Sequence, residues 1–557
     1  MNKRIYIIPL VAAILILVGC SEFLDERPVG QETVDSFLGD PATTADNFEQ
    51  MLHAAYSVFT ISESSWRGNS HYFENMISDW LSDDVEKGGN GASDFPEMLD
   101  MRAWMALPLS TAASHYGTPW MVGYLGAGRA NTILVLLEEY KDNLSDAEYN
   151  RIKGECLFIR GYFYYLLARA FGSVPYFDEP LTPDQYFDQS KLSPEELYAE
   201  IEADFSEAVG LLPEKSAWTT VWPGGRATKG AARAMLARVL SMEIGFGFND
   251  AGWQDVYTQT SAIVSSGEYA LLANYAVVWA DEGEMGTESV FEVPCADFGG
   301  GYGSPGGNMM VRMTTLRQDA TLTYGANTPT GGWGFSTPTQ ELFDEFEEGD
   351  PRRECTIIAD GDYFMGDEIP TIISGDCPDG YWLRKYAAAD PRQNTHGENN
   401  MRVIRYAEVL LTHAEACYHT GREGDALAAL TEVRTRAQNS TLPKGSVPGD
   451  PEAYAPNPGT LADITATGGQ ALLDAIKHER RVELAGEGIR YYDLLRWGEY
   501  EDVLVNVIIP NDYFLSTLNP SEVRAAYQSH LIDGIVPSLP IPSDEVETYR
   551  IEQNPGY

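Results

Sequence analysis

Cysteine and basic residues are scarce in this chain for its length. Six cysteines occur in 557 residues, and no two form a C-x-x-C pair, so neither a zinc ribbon nor a densely cross-linked scaffold is indicated. Beyond Cys20, the other five (Cys156, Cys295, Cys355, Cys377 and Cys417) are odd in number and widely spaced. Cys156 and Cys417 fall in helical patterns and read as buried thiols. Cys355 and Cys377 flank a loop, which leaves a pairing between them open. Lysine and arginine total 38 against 83 acids, a formal net charge of −45. That balance argues against nucleic acid or an anionic lipid surface as a partner. Catalytic signatures are missing too. His478-Glu479 is followed at the fourth place by Val482, so there is no H-E-x-x-H, and neither G-x-S-x-G nor a Walker loop occurs. Among 83 acids, chance alone supplies the paired carboxylates a glycosidase would use. Gly301 to Gly306 satisfies G-x-G-x-x-G in letter. Pro305 interrupts it, however, and Gly307-Asn308 follows where a helix must open, so it reads as a flexible loop. Asp79, Asp83 and Asp84 lack the alternating ligand positions of a calcium loop and read as a solvated acidic turn. No catalytic residue, metal or cofactor is expected.

What remains is ample material for a core: 44% hydrophobic residues and 11% aromatics exclude a disordered acidic tail. The length suits two or three average domains or one repeat-built unit. Residues 1–19 read as a targeting segment, with Lys3 and Arg4 before the apolar run Ile5–Val18. That run contains Pro9 and is too short to span a bilayer. Its end, Leu17-Val18-Gly19-Cys20, resembles a bacterial lipobox, which would make Cys20 the lipid-bearing mature N-terminus, followed by a tether over residues 20–40.

Helical patterns dominate the rest. Ala42–Phe59 and Tyr124–Tyr140 read as helices. Ser145-Asp146-Ala147-Glu148 is a capping box opening a long helix that stops at Gly172, with Pro175 beyond. Ser193-Pro194-Glu195-Glu196 opens another, which ends near Leu212-Pro213 and is followed by an antiparallel partner and by Asp255–Ser265. Arg402–His419 puts Val403, Tyr406, Ala407, Leu410, Leu411, Ala414 and Cys417 on one face and Arg405, Glu408, Thr412 and Glu415 on the other. Gly421–Gly424 then turns the chain into Asp425–Ala437. These pairs, over about 124–265 and 401–498, resemble tetratricopeptide repeats without their strict consensus. Between them, about 288–400 is loop-rich: Glu288–Val293 and Tyr381–Tyr386 read as strands, Gln340–Phe346 as a short helix, and Gly299–Gly334 holds ten glycines. Residues 439–470 form a second loop.

Ala471–Trp497 is the segment on which the chain is organised. Leu472, Leu473, Ala475, Ile476, Val482 and Leu484 share one broad face, while Lys477, His478 and Arg481 point away as solvated charges. Glu479, Arg480 and Glu483 fall inside the apolar arc. Charges are seldom buried unpaired, so this helix is expected to carry a fixed acid–arginine network into the core, with a structural and not a catalytic role.

The run ERRVELAGEGIRYYDLLRWG resembles the C-terminal signature of the SusD/RagB family, the outer-membrane nutrient-binding lipoproteins of Bacteroidetes. RYAEVLLTHAEA, GRATKGAARAMLARV and the tail LPIPSDEVETYRIEQNPGY resemble the same family, with Tyr549-Arg550 where Asn-Pro is common. The resemblance implies one mainly α domain over 41–557: a TPR-like helix-turn-helix scaffold with a loop-rich binding face and a few short strands. It implies an oligosaccharide ligand, a SusC-like TonB-dependent transporter as partner, a lipid anchor at Cys20, an outer-membrane location facing outward, and no enzymatic activity. The same architecture binding peptides, a surface glycosidase, and a lid with no ligand of its own stay as alternatives.

A sugar ring has an apolar C–H face and a polar rim, so its receptor wants flat aromatics beside hydrogen-bonding groups. Aromatics on polar or glycine-rich stretches are the candidates: Trp333, Tyr302, Trp66 and Tyr324, with Asn90 and Asp83 as polar neighbours. Trp333, in Gly331-Gly332-Trp333-Gly334, resembles the segment giving an aromatic platform in the family's starch-binding member, and Tyr302 a second platform residue. In that relative an aromatic-rich segment follows the acidic pair equivalent to Asp83-Asp84. Here Val85–Asn90 carries no aromatic, so part of a starch-binding arc is missing, and Lys87 and Asn90 stand either as donors for a different glycan or as residues with no ligand role.

Overall fold

A computed structural model describes residues 33–61, 75, 77–109, 116–187, 189–218, 225–296, 306–317, 332–369, 377–387 and 397–557. Cys20, Trp66, Tyr302 and Tyr324 lie outside the described residues. The fold is mainly α. Helix α1 is Thr44–Tyr56, α2 Gly117–Glu139, α3 Asp146–Phe171, α4 Pro194–Leu211, α5 Lys229–Phe246, α6 Trp253–Ser266, α7 Tyr406–His419, α8 Glu423–Gln438, α9 Gly469–Leu484 and α10 Arg490–Arg496. Among the described residues, no helix is long and apolar enough to cross a membrane.

Local sequence explains where these helices begin and how closely they pack. Ser145 and Ser193 accept from the backbone N–H of Glu148 and Glu196, closing both capping boxes. Gly172, at φ +69, ends α3. A Cβ on Gly126 would stand 2.0 Å from the Phe163 ring, so α2 lies on α3 only because that position has no side chain. Gly161 does the same for α3 on α4, with Phe205 at 3.1 Å from a built Cβ. Each hairpin leaves an apolar face that the next one covers.

The stacking order is continuous. Helix α2 packs on α3, α3 on α4, α4 on α5, α5 on α6, α6 on α7, and α7 on both α8 and α9. Thus α6 and α7 are neighbours in space although the loop-rich segment intervenes in sequence. Strand β2 (Ser289–Val293) leaves the scaffold, and β4 (Met401–Arg405) returns antiparallel to it, pairing Ser289 with Arg405 and Val293 with Met401. The helix expected from Arg402 therefore starts only at Tyr406. Pairing with β2 overrides the helical periodicity of the first residues. The polar face of α7 is not solvated: Arg405, Glu408, Thr412 and Glu415 are all buried, because α5, α9 and α10 supply partners across it. Arg238 bonds Glu408 from α5, and Arg496 and Trp497 bond Glu415.

The insert contributes β1 (Val85–Gly88) paired with β3 (Phe335–Pro338), and Ile357–Ile358 paired with Trp382–Leu383. The short helix expected at 340–346 forms over Gln340–Glu345, and 439–468 is loop. All five described cysteines are free thiols, so Cys355 and Cys377 do not pair.

Helix α9 is the charged hub anticipated from its sequence. Glu479 and Glu483 are fully buried, and Arg352 from the insert reaches both, at 2.6 and 3.2 Å. Glu483 also takes Arg405 at 3.0 Å and bonds Arg436. Burial raises its carboxyl pKa, but the three guanidinium groups outweigh that and hold it at about 2. Arg480 pairs with Asp493 at 2.6 Å. The supposedly solvated residues of α9 are paired too. Lys477 meets Glu499, and His478 meets Glu345. Arg481 spans Asp83, Asp84 and Glu345.

Candidate functional site

The loop face is assembled where β1 meets β3. Glycine is required there twice. Gly88 sits at φ +66, and a built Cβ would lie 2.4 Å from the Gly334 carbonyl. Gly89 sits at φ +75 with the Phe335 ring 2.3 Å from a built Cβ. The Gly89 N–H donates to the Gly334 carbonyl at 2.9 Å. That bond places Asn90 and Trp333, each one residue along from it, on the same edge.

Trp333 is fixed from below. Its N–H donates to the Arg312 carbonyl at 2.9 Å, out of the short helix Met309–Thr314, and its own carbonyl accepts from Arg317 at 3.3 Å. The ring is half-buried against the main core, with the Arg312 guanidinium 5.8 Å from its centroid. It is thus neither a free platform nor a core residue: part of the indole is covered and part is accessible. Asn90 is exposed, and its N–H is held by Asp94 at 2.8 Å.

Two polar candidates are withdrawn by the geometry. Asp83, read as a ligand contact, is 5% exposed, and Arg490 bonds both its oxygens at 2.8 and 3.0 Å while Arg481 sits 3.0 Å away. Burial raises its pKa, but the two arginines prevail and hold it at about 2. Asp79 and Asp84 are fully buried, so the acidic stretch is no solvated turn. It is an internal acid cluster matched to α9 and α10. Lys87 is buried as well, its ammonium donating to the carbonyls of Gly88, Gly91 and Asp94 and lying over the Phe335 and Phe514 rings. Its donors serve the fold. Beside it Glu86 is buried, accepts from the Tyr513 N–H at 2.8 Å, and has its pKa pushed up to about 8 by burial and by Asp512. Among the described residues, no cluster of His, Cys, Asp or Glu is arranged to hold a metal ion.

Sequence reasoning overlooked a cavity elsewhere. A cleft of about 590 Å³ opens between α2, the loop after α3 and the C-terminal tail. Its walls come from three remote segments, so no local pattern announces it. Gly128 is a partial signal: it lines the cleft, and a Cβ there would meet nothing within 4 Å, so no helix packing calls for a glycine at that position.

A stack of helical hairpins with a loop-rich insert between two of its helices is a repeat-built architecture and not a doubly wound sheet. Two family descriptions match it, "SusD family" over residues 287–557 and "Starch-binding associating with outer membrane" over 22–240. The chain belongs to the SusD family. It is similar to SusD-like protein P2 of Formosa agariphila, 25% identical over 99% of both chains. Surface glycan-binding protein A from Bacteroides fluxus superposes with a TM-score of 0.70 at 25% identity, covering 92% of this chain and 99% of that one. A laminarin binding SusD-like protein superposes with a TM-score of 0.68 at 26% identity, over the same shares.

Proposed function

We propose that this protein captures an oligosaccharide at the cell surface and delivers it to a SusC-like TonB-dependent transporter, without making or breaking a bond. The likeness to a laminarin binding SusD-like protein over 92% of the chain carries the reading. The geometry of the loop face supports it: Trp333 offers part of an aromatic face, and exposed Asn90 stands on the same edge with amide donors and an acceptor. The proposal keeps Tyr302, Trp66 and Tyr324 as further candidate ligand rings. Anchoring follows from residues 1–19 as a lipoprotein signal and Cys20 as the acylated residue. The whole of 41–557 then forms one ligand-presenting unit facing outward from the outer membrane.

Glu86 has the raised pKa of a general acid, but it is 3% exposed and bonded to backbone, so it serves the fold and not hydrolysis. The test is calorimetry of the full chain and of Trp333→Ala against neutral oligosaccharides, with peptides in parallel. Binding weakened about tenfold by the substitution is expected, from the loss of one ring contact. Binding of peptides alone, or steady release of shortened sugars, would replace the proposal.

A further inference from the structure

We infer that the cleft between α2, the loop after α3 and the C-terminal tail is a second carbohydrate site that takes a neutral oligosaccharide. The inference rests on the glycan-binding reading above and extends it to segments that share no residue with the loop face. At about 590 Å³, the cleft has the size of a small-ligand site. Its walls carry six aromatic residues, Trp120, Tyr124, Tyr164, Phe177, Tyr186 and Tyr549. The floor is pre-built: Tyr164 both donates to and accepts from the backbone of Phe177, and Asn131 donates to the same carbonyl at 2.7 Å. A wall already fixed costs little to order on binding.

The rim is where exposed aromatics collect. Among the described residues four large aromatic side chains are exposed, and three of them, Tyr186 at 43%, Phe187 at 48% and Tyr549 at 37%, meet here. The Phe187 and Tyr549 rings stand 6.0 Å apart. Such a gathering of apolar surface marks a contact site.

The charge lining selects the occupant. Glu179 and Glu545 line the cleft, and among the described residues neither has an ion-pair partner and no lysine, arginine or histidine lines it. Ionised carboxylates only accept hydrogen bonds. The Trp120 indole N–H already bonds Glu545, but a carboxylate offers about four acceptor positions. An anionic ligand would be repelled, and a wholly apolar one would cover the remaining positions unbonded. A neutral sugar satisfies both demands, laying C–H faces on the rings and donating hydroxyls to the carboxylates. A glycan chain long enough to reach both sites would be held more tightly than by either alone.

The experiment uses the full chain on a neutral-glycan array, followed by titration with laminarin hexasaccharide and with the best array hit. It compares wild type, Trp333→Ala, Tyr186→Ala/Tyr549→Ala and Glu545→Gln, with melting curves confirming that each variant folds. The expected result is that Trp333→Ala retains sugar binding, which then falls about tenfold or more when the Tyr186 and Tyr549 changes are added. Glu545→Gln should weaken the same residual binding. If Trp333→Ala abolishes all sugar binding, or the cleft changes leave it untouched, the second site is overturned while the loop-face reading stands. If only the cleft changes weaken binding, the second site stands and the loop face falls. A wild-type chain that binds no neutral glycan overturns both.

Discussion

Arg481 of α9 and Asp84 stand 2.8 Å apart, Nε to Oδ1, across 397 residues of chain. The same guanidinium reaches Asp83 and Glu345. One side chain therefore joins the C-terminal helical unit to the acidic stretch that leads into β1, and through Glu345 to the helix following β3. The loop face inherits its position from this junction.

Arg481→Leu should remove the cation facing two buried carboxylates. Breaking a buried ion pair by deleting one partner typically costs about 3–5 kcal/mol. Arg490 still faces Asp83, which places the expected loss at the lower end, read as a shift in the denaturant midpoint. Glycan affinity should fall with it, because the β1–β3 junction loosens. Unchanged stability would contradict the proposed junction.

Acid should weaken the fold through a specific set of groups. Asp83, Glu415 and Glu483 are held at about 2 in the folded protein, burial raising each pKa and adjacent arginines lowering it further than burial raises it. Depressed folded values mean that their stabilisation is fully present above the unfolded pKa of roughly 4 to 4.5 and disappears as pH falls toward 2. Each contributes on the order of 2–3 kcal/mol by that linkage. Melting temperature measured from pH 6 to pH 2.5 should drop steeply below about 4.5, and Glu483→Gln should flatten the drop.

Glu86 titrates the opposite way. Its folded value of about 8 lies above the unfolded one, so the folded state holds the proton more tightly and stability declines as pH rises from about 4.5 to 8. Glu86→Gln keeps an acceptor for the Tyr513 N–H and removes the charge. It should raise the melting temperature at pH 8.5, with a gain of roughly 4 kcal/mol, and have little effect at pH 4.5. Equal effects at both values would show that the carboxyl is not perturbed.

Gly89→Val should disable the loop face with little damage to the helical stack. The position has φ +75, and a Cβ would collide with the Phe335 ring. A β-branched residue there costs about 1–3 kcal/mol of backbone strain and displaces the strand end that carries Trp333. Helical circular dichroism should persist while sugar binding at the loop face drops sharply.

The scaffold was legible because its signals are local. Ser145 and Ser193 with glutamate three residues on, and Gly172 after the long helix, name helix ends without reference to anything distant. Glu479, Arg480 and Glu483 were legible as buried because they interrupt an apolar arc. The errors share one cause: Arg481, Glu415 and Asp83 look solvated until their partners are known, and those partners lie elsewhere in the chain. Arg402–Arg405 reads as helix for the same reason, since only pairing with β2 makes it a strand. Trp333 stood out from its glycines, but its half-cover by Arg312 depends on a fold-back that no spacing encodes. The aromatic cleft was invisible because three segments meet to make it.

Helices α6 and α7 touch as if consecutive, with β2 and β4 side by side at the exit and re-entry of everything between them. That arrangement separates inheritance of the frame from inheritance of taste. Residues between those two strands that do not anchor the hub as Arg352 does can be lengthened, recoded or exchanged during evolution while the stack beneath closes unaltered, so related chains can diverge in ligand long before they diverge in shape.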